Sequence, residues 1–102
     1  MRMLLKATIG LETFNNAVRD GSAGPKLGRI IEDLKPEKTY FYEEGGKRTA
    51  LLIVDLPDAS HIPALAEPFF LTFNASLELH PVMTPDDLAK AGLEQLGKRY
   101  TR

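Results

Sequence analysis

The side chains able to do chemistry in this chain are few, and most sit on segments that alternate apolar and polar residues. His80 closes the run Ala75-Ser76-Leu77-Glu78-Leu79-His80. An imidazole exchanges its proton near neutral pH, so His80 is a candidate acid or base; its plainer role is a strand-end ring paired with Glu78 or water. His61 falls in the first turn of an expected helix, where the dipole disfavours a charged ring, and reads as surface. Lys6 and Glu78 are expected on adjacent strands and on the same side. They form either an ion pair lining a pocket, with Lys6 holding a ligand carboxylate, or a structural salt bridge at a subunit interface. Tyr40 and Tyr42 share one side of a strand, with Phe41 on the other. Facing a cavity, the two hydroxyls would give an apolar wall its polar handles. Pro68-Phe69-Phe70 with Phe73 either lines an apolar pocket between helix and sheet or is core. The candidates are therefore His80 for catalysis, with Lys6, Tyr40, Tyr42, Phe69, Phe70 and Glu78 for binding.

Composition removes other chemistries. The chain has no cysteine, which excludes disulfides, thiolate nucleophiles, iron–sulfur clusters and cysteine zinc sites. Two histidines cannot build a His-rich metal site, and nothing stands at ligand spacing, so no metal or cofactor is expected. Gly21, Gly24 and Gly28 lack the spacing and the Lys-Ser/Thr of a phosphate loop. Thirteen basic and 14 acidic side chains leave a net charge of -1, with the basic residues scattered. Such a chain offers no positive field to nucleic acid or an anionic membrane. No apolar run reaches signal-peptide length or the ~20 residues of a membrane span, so the expected location is cytoplasmic.

The elements that must position these groups follow from periodicity. Arg2–Ile9 alternates with Met3, Leu5, Ala7 and Ile9 on one side, a strand. A short helix is expected near Thr13–Asp20, and Gly21-Ser22-Ala23-Gly24 breaks it. A second helix starts at Pro25 with Gly24 as its cap, carries the stripe Leu27, Ile30, Ile31, Leu34, and ends at Lys35-Pro36. Thr39-Tyr40-Phe41-Tyr42 and Leu51-Leu52-Ile53-Val54 flank Gly45-Gly46, the two positive φ angles of a type I′ hairpin. That turn predicts Glu44 opposite Lys47, Glu43 opposite Arg48, Tyr42 opposite Thr49 and Phe41 opposite Ala50, with both charged pairs of opposite sign. Asp58 or Ser60 caps a further helix bearing Ile62, Leu65, Ala66, Phe69, Phe70 and Phe73, expected to kink or stop near Ala66 ahead of Pro68. A fourth strand spans Ala75–Met83. Thr84-Pro85-Asp86-Asp87 then starts one terminal helix striped by Ala89, Leu93, Leu96 and Tyr100.

The order β-α-β-β-α-β predicts a single α+β domain of ferredoxin-like type over residues 1–102, with an extra C-terminal helix. Right-handed crossovers place strands one and three at the centre of a four-stranded antiparallel sheet whose helices cover one face. Strand three is apolar on both sides, Thr49, Leu51 and Ile53 on one and Ala50, Leu52 and Val54 on the other, which implies two buried faces. Too little chain remains to cover the second face, so a second copy is expected there. In length, element order and this face-to-face pairing the chain resembles the dimeric α+β barrel superfamily. Val54-Asp55-Leu56-Pro57-Asp58 through Pro68-Phe69-Phe70, then the strand ending at His80-Pro81, is similar to muconolactone isomerase-like and related small members. The resemblance implies the fold and the homodimer, and carries over no catalytic residue. It spans isomerases, cofactor-independent monooxygenases, and dehalogenating and haem-degrading enzymes, so it leaves the reaction open. The function expected is a homodimer binding a small, partly apolar organic molecule. The alternatives are a cofactor-independent isomerase or monooxygenase using His80, and an oligomerisation module without a ligand.

Overall fold

The computed structural model describes residues 1–101. Their order is β1 (Arg2–Thr8), α1 (Leu11–Asp20), α2 (Ala23–Leu34), β2 (Lys38–Glu44), β3 (Lys47–Asp55), a 3-10 turn (Ala59–His61), α3 (Ile62–Phe73), β4 (Ser76–Pro81), α4 (Pro85–Ala89) and α5 (Leu93–Arg99). The strands form one antiparallel sheet in the order β2-β3-β1-β4, so strands one and three are central and the connections match the split βαβ pattern. Alternation sets the two faces. Met3, Leu5, Ala7 and Ile9 with Ala50, Leu52 and Val54 are buried against Phe14, Ile30, Leu65, Phe69 and Phe73 of the helices. This is the core, and burying each of its large side chains contributes about 1.5–3 kcal/mol. The expected stripe of α2 holds, with Ile30 buried and Leu27, Ile31 and Leu34 packed beside it.

The hairpin forms in the expected register, from Phe41 opposite Ala50 to Glu44 opposite Lys47. Gly45 and Gly46 have φ of 60° and 79°, where a Cβ would be strained. The sign-matched pairs do not become ion pairs, however. Glu43 accepts from the Gly46 N–H (3.1 Å), while Arg48 donates to Asn15 Oδ1 (2.8 Å) and lies 4.8 Å from the Phe14 ring centre. Glu44 turns to the sheet face instead. Lys47 is an exposed surface lysine, whereas the Lys6 side chain is 22% exposed, and an ion pair is stronger where less water screens it.

Several boundaries move. α2 starts at Ala23 after Ser22, not at Pro25. β1 stops at Thr8, and β4 is confined to Ser76–Pro81. α3 does not stop near Ala66: it runs through Pro68 to Phe73. Proline inside a helix removes one hydrogen bond and costs about 3 kcal/mol. Here the helix buries Leu65, Ala66, Phe69 and Phe73 on its inner side, which offsets that loss. The terminal segment is two short helices, not one. Gly92 adopts a left-handed φ of 77° and separates α4 from α5. The start of α4 is as expected: Thr84 Oγ1 accepts from the Asp87 N–H (3.1 Å) and Asp87 Oδ2 accepts from the Thr84 N–H (2.9 Å).

These two helices change the shape of the molecule. Every residue from Pro85 to Thr101 is exposed, and neither helix makes an extended contact with the sheet or with the other helices. The radius of gyration is 17.3 Å and the long axis 61 Å. A compact chain near 100 residues has a radius of about 13 Å, so the C-terminal segment is a projecting arm.

Candidate functional site

The sheet face away from the helices carries most of the candidates. The register places Leu4, Lys6 and Thr8 of β1 beside Thr49, Leu51 and Ile53 of β3, with Tyr40, Tyr42 and Glu44 of β2 and Ser76, Glu78 and His80 of β4 on the flanks. Leu4, Leu51 and Ile53 stay half-buried at its centre and Tyr40 is exposed beside them.

One polar network crosses this face. Lys6 stands opposite Glu78, as expected, with its Nζ 3.8 Å from Glu78 Oε2. Its closer partner is Glu44, at 2.5 Å, reached diagonally across β3. Tyr42 donates its hydroxyl to the other Glu44 oxygen (2.9 Å), and His80 Nε2 lies 3.2 Å from Glu78 Oε1. Five side chains from β2, β1 and β4 are thus linked as Tyr42, Glu44, Lys6, Glu78, His80. The contacts shift the titrations. The hydrogen bond from Lys6, and then that from Tyr42, hold the Glu44 carboxyl below the usual carboxylate range. The same bond to Glu44, with the Glu44 and Glu78 charges, raises the Lys6 ammonium above its ordinary value. Donating to Glu44 keeps the Tyr42 phenol protonated to higher pH than usual.

Two carboxylates on one ammonium change what Lys6 can do. An incoming carboxylate would have to displace Glu44, so the network suits a ligand group that donates hydrogen bonds rather than an anion. Tyr40 lies on the same face outside the network. Phe69 and Phe70 do not join it. α3 packs on the opposite face, where Phe69 is 0% exposed in the core and Phe70 is 41% exposed on the outer surface. The pocket expected from Pro68-Phe69-Phe70 is instead a surface groove of about 710 Å³ between α2 and α3, bordered by Ile30, Pro63, Pro68 and Leu71. His61 is exposed as expected, its Nδ1 3.2 Å from the Asp58 carboxylate that caps the 3-10 turn. Among the described residues, no three His, Cys, Asp or Glu side chains gather as a metal site. No helix among them is long and apolar enough to cross a membrane.

A second concavity was not visible in the sequence. A cleft of about 410 Å³ opens where β2 passes α1 and α2, lined by Ile9, Phe14, Leu27, Phe41, Tyr42, Glu43, Arg48 and Thr49. Its lining is almost entirely apolar, with Arg48 at Phe14 as its cation. Arg48 had a ready partner in Glu43 across the hairpin, which hid its turn toward Asn15. The only sequence signal was Phe41, an aromatic on the helix side of an edge strand.

No family model and no curated protein matches the chain. Among solved structures it is similar to a formyltetrahydrofolate deformylase from Pseudomonas putida KT2440, at 15% identity and a TM-score of 0.45. The likeness covers 79% of this chain and 28% of that one, so the chain spans less than a third of the enzyme's length.

Proposed function

We propose that the protein works as a homodimer in which two sheets meet through their uncovered faces, and that the space between them takes a small, partly apolar organic molecule. The observation that supports this reading is the linked network of Lys6, Glu44, Glu78, Tyr42 and His80 on a face whose centre is the apolar set Leu4, Leu51 and Ile53. Apolar walls with a few convergent polar groups are the usual make-up of a small-molecule site. The apolar set holds the body of the ligand, and the carboxylates with the Tyr42 hydroxyl orient a hydrogen-bond donor at its polar end. Tyr40 supplies a second aromatic wall.

The test pairs sedimentation with titration of a neutral solvatochromic dye. Wild type is expected to sediment as a dimer at micromolar concentration and to bind the dye stoichiometrically, and Leu51→Arg to lose both. A dimer that takes up no dye would leave an oligomerisation module without a ligand. A wild-type monomer of 11.3 kDa would end the reading altogether.

The His80–Glu78 contact favours a second reading, a cofactor-independent isomerase or monooxygenase in which His80 moves a proton and Glu78 orients its ring. Turnover unaltered in His80→Ala across a substrate screen would remove that role.

A further inference from the structure

The C-terminal arm is folded, yet among the described residues it has no extended contact with its own sheet or core helices. α4 and α5 have five and seven residues, and helices so short do not hold in water without packing. Their local devices are a capping box on α4, Thr84–Asp87, and one ion pair each, Lys90–Asp86 (3.4 Å) and Lys98–Glu94 (3.8 Å), while α5 begins at Gly92 without a side-chain cap. Such exposed pairs contribute only a few tenths of a kcal/mol each. Meanwhile Met83, Leu88, Leu93, Leu96 and Tyr100 all face solvent. Leu93, Leu96 and Tyr100 follow helical spacing and form one stripe, with Glu94 and Lys98 away from it.

The exit from the sheet carries the arm outward. The Val82 N–H donates to the Arg2 carbonyl (3.2 Å), so the chain keeps to the β1–β4 pairing until the sheet ends. The capping box starts α4 two residues later, beyond the sheet's rim. The sheet face also needs help to hold a partner. Four strands about 4.8 Å apart and about 23 Å long project roughly 450 Å² of face, which side-chain relief enlarges in accessible area and the flanking exposed Glu44, Glu78 and His80 leave partly polar. A stable interface buries about 800 Å² per partner.

We infer that the arm is exchanged: the apolar stripe of α4 and α5 packs on a second copy of this chain, past the sheet end marked by Arg2 and Asp55, and completes the interface begun by the sheet faces. This rests on the homodimer proposed above and adds to it the element that clasps the partner. The stripe then leaves water, and the short helices gain the packing they lack in the isolated chain.

Two measurements test it. The first is the dimer dissociation constant by sedimentation for wild type, the double variant Leu93→Asp/Leu96→Asp, and the control Glu94→Gln/Lys98→Gln. The stripe variant is expected to weaken the dimer by at least about tenfold, since burial of two leucines is lost, and the control to leave it unchanged. The second places a photoreactive benzophenone side chain at Leu96. Exchange yields a product at twice 11.3 kDa, joined between isotopically heavy and light copies when the two are mixed. Products confined to a single chain, or a dimer unaffected by the stripe variant, overturn the exchange. If Leu51→Arg then still abolishes the dimer, the sheet-face reading survives without it. A wild-type monomer removes both.

Discussion

Tyr42 and Glu44 are two positions apart on β2, so both side chains stand on one face of the sheet, where the phenol donates to the carboxylate. That bond favours the protonated phenol and raises its pKa from 10.0. A group raised on folding adds stability below its ordinary pKa and loses it as pH rises through the folded value. Lys6 is raised too and acts in the same direction. Glu44 is lowered, so its share is present above its ordinary value of 4.5 and disappears as pH falls through the folded one. The network is therefore complete at neutral pH and comes apart at both ends. We expect near-ultraviolet absorbance, taken as wild type minus Tyr42→Phe, to place this phenol's titration above 10.0. Repeating the subtraction in a Glu44→Gln background should bring the midpoint back toward the ordinary value; a midpoint unmoved by Glu44→Gln would contradict the bond. The Lys6–Glu78 pair was legible in the sequence, because both residues fall on alternating segments that pair directly. The Lys6–Glu44 pair was not. It spans a third strand diagonally and depends on where a long side chain finds a less solvated partner.

At the scale of elements, local signals prevailed where little opposed them, as at the hairpin. Gly45-Gly46 settles the turn within the chain itself, and the register follows without distant contacts. Pro68 shows the opposite outcome. Its local cost predicts a helix end, yet the four residues that α3 buries outweigh it. The burial difference along α3 is measurable. Phe69→Ala should cost about 3–5 kcal/mol in denaturant unfolding and Phe70→Ala under about 1 kcal/mol, and comparable losses would contradict their placement on opposite sides. The link from β1 to α1 is equally constrained. The Gly10 N–H donates to the Phe73 carbonyl (3.2 Å), and a Cβ on Gly10 would lie 2.9 Å from that oxygen. Gly10→Ala must push the end of α3 away from β1. We expect a clear loss of stability on thermal melting, unlike Gly24→Ala, whose Cβ meets open space. In the arm, where no extended tertiary contact competes, the helix-breaking tendency of Gly92 prevails and the expected single helix divides.

The whole molecule is an antiparallel sheet covered on one face, uncovered on the other, with an arm that leaves it. Small-angle scattering on Leu51→Arg, expected as a monomer whose arm is free to fray, should return a radius of gyration of 17.3 Å or more rather than the roughly 13 Å of a compact chain. A value near the compact one would mean the arm folds back on its own sheet. Alternation of apolar residues and one glycine pair are local properties, so the sequence by itself determined the strands, the hairpin register, the face that meets the helices and the surplus of apolar face. Only the tertiary structure decided which carboxylate holds Lys6, that Phe69 belongs to the core while Phe70 faces water, and that the segment after Thr84 leaves the domain. Each of these is a competition between groups far apart in the chain, settled by burial and screening that no local window contains.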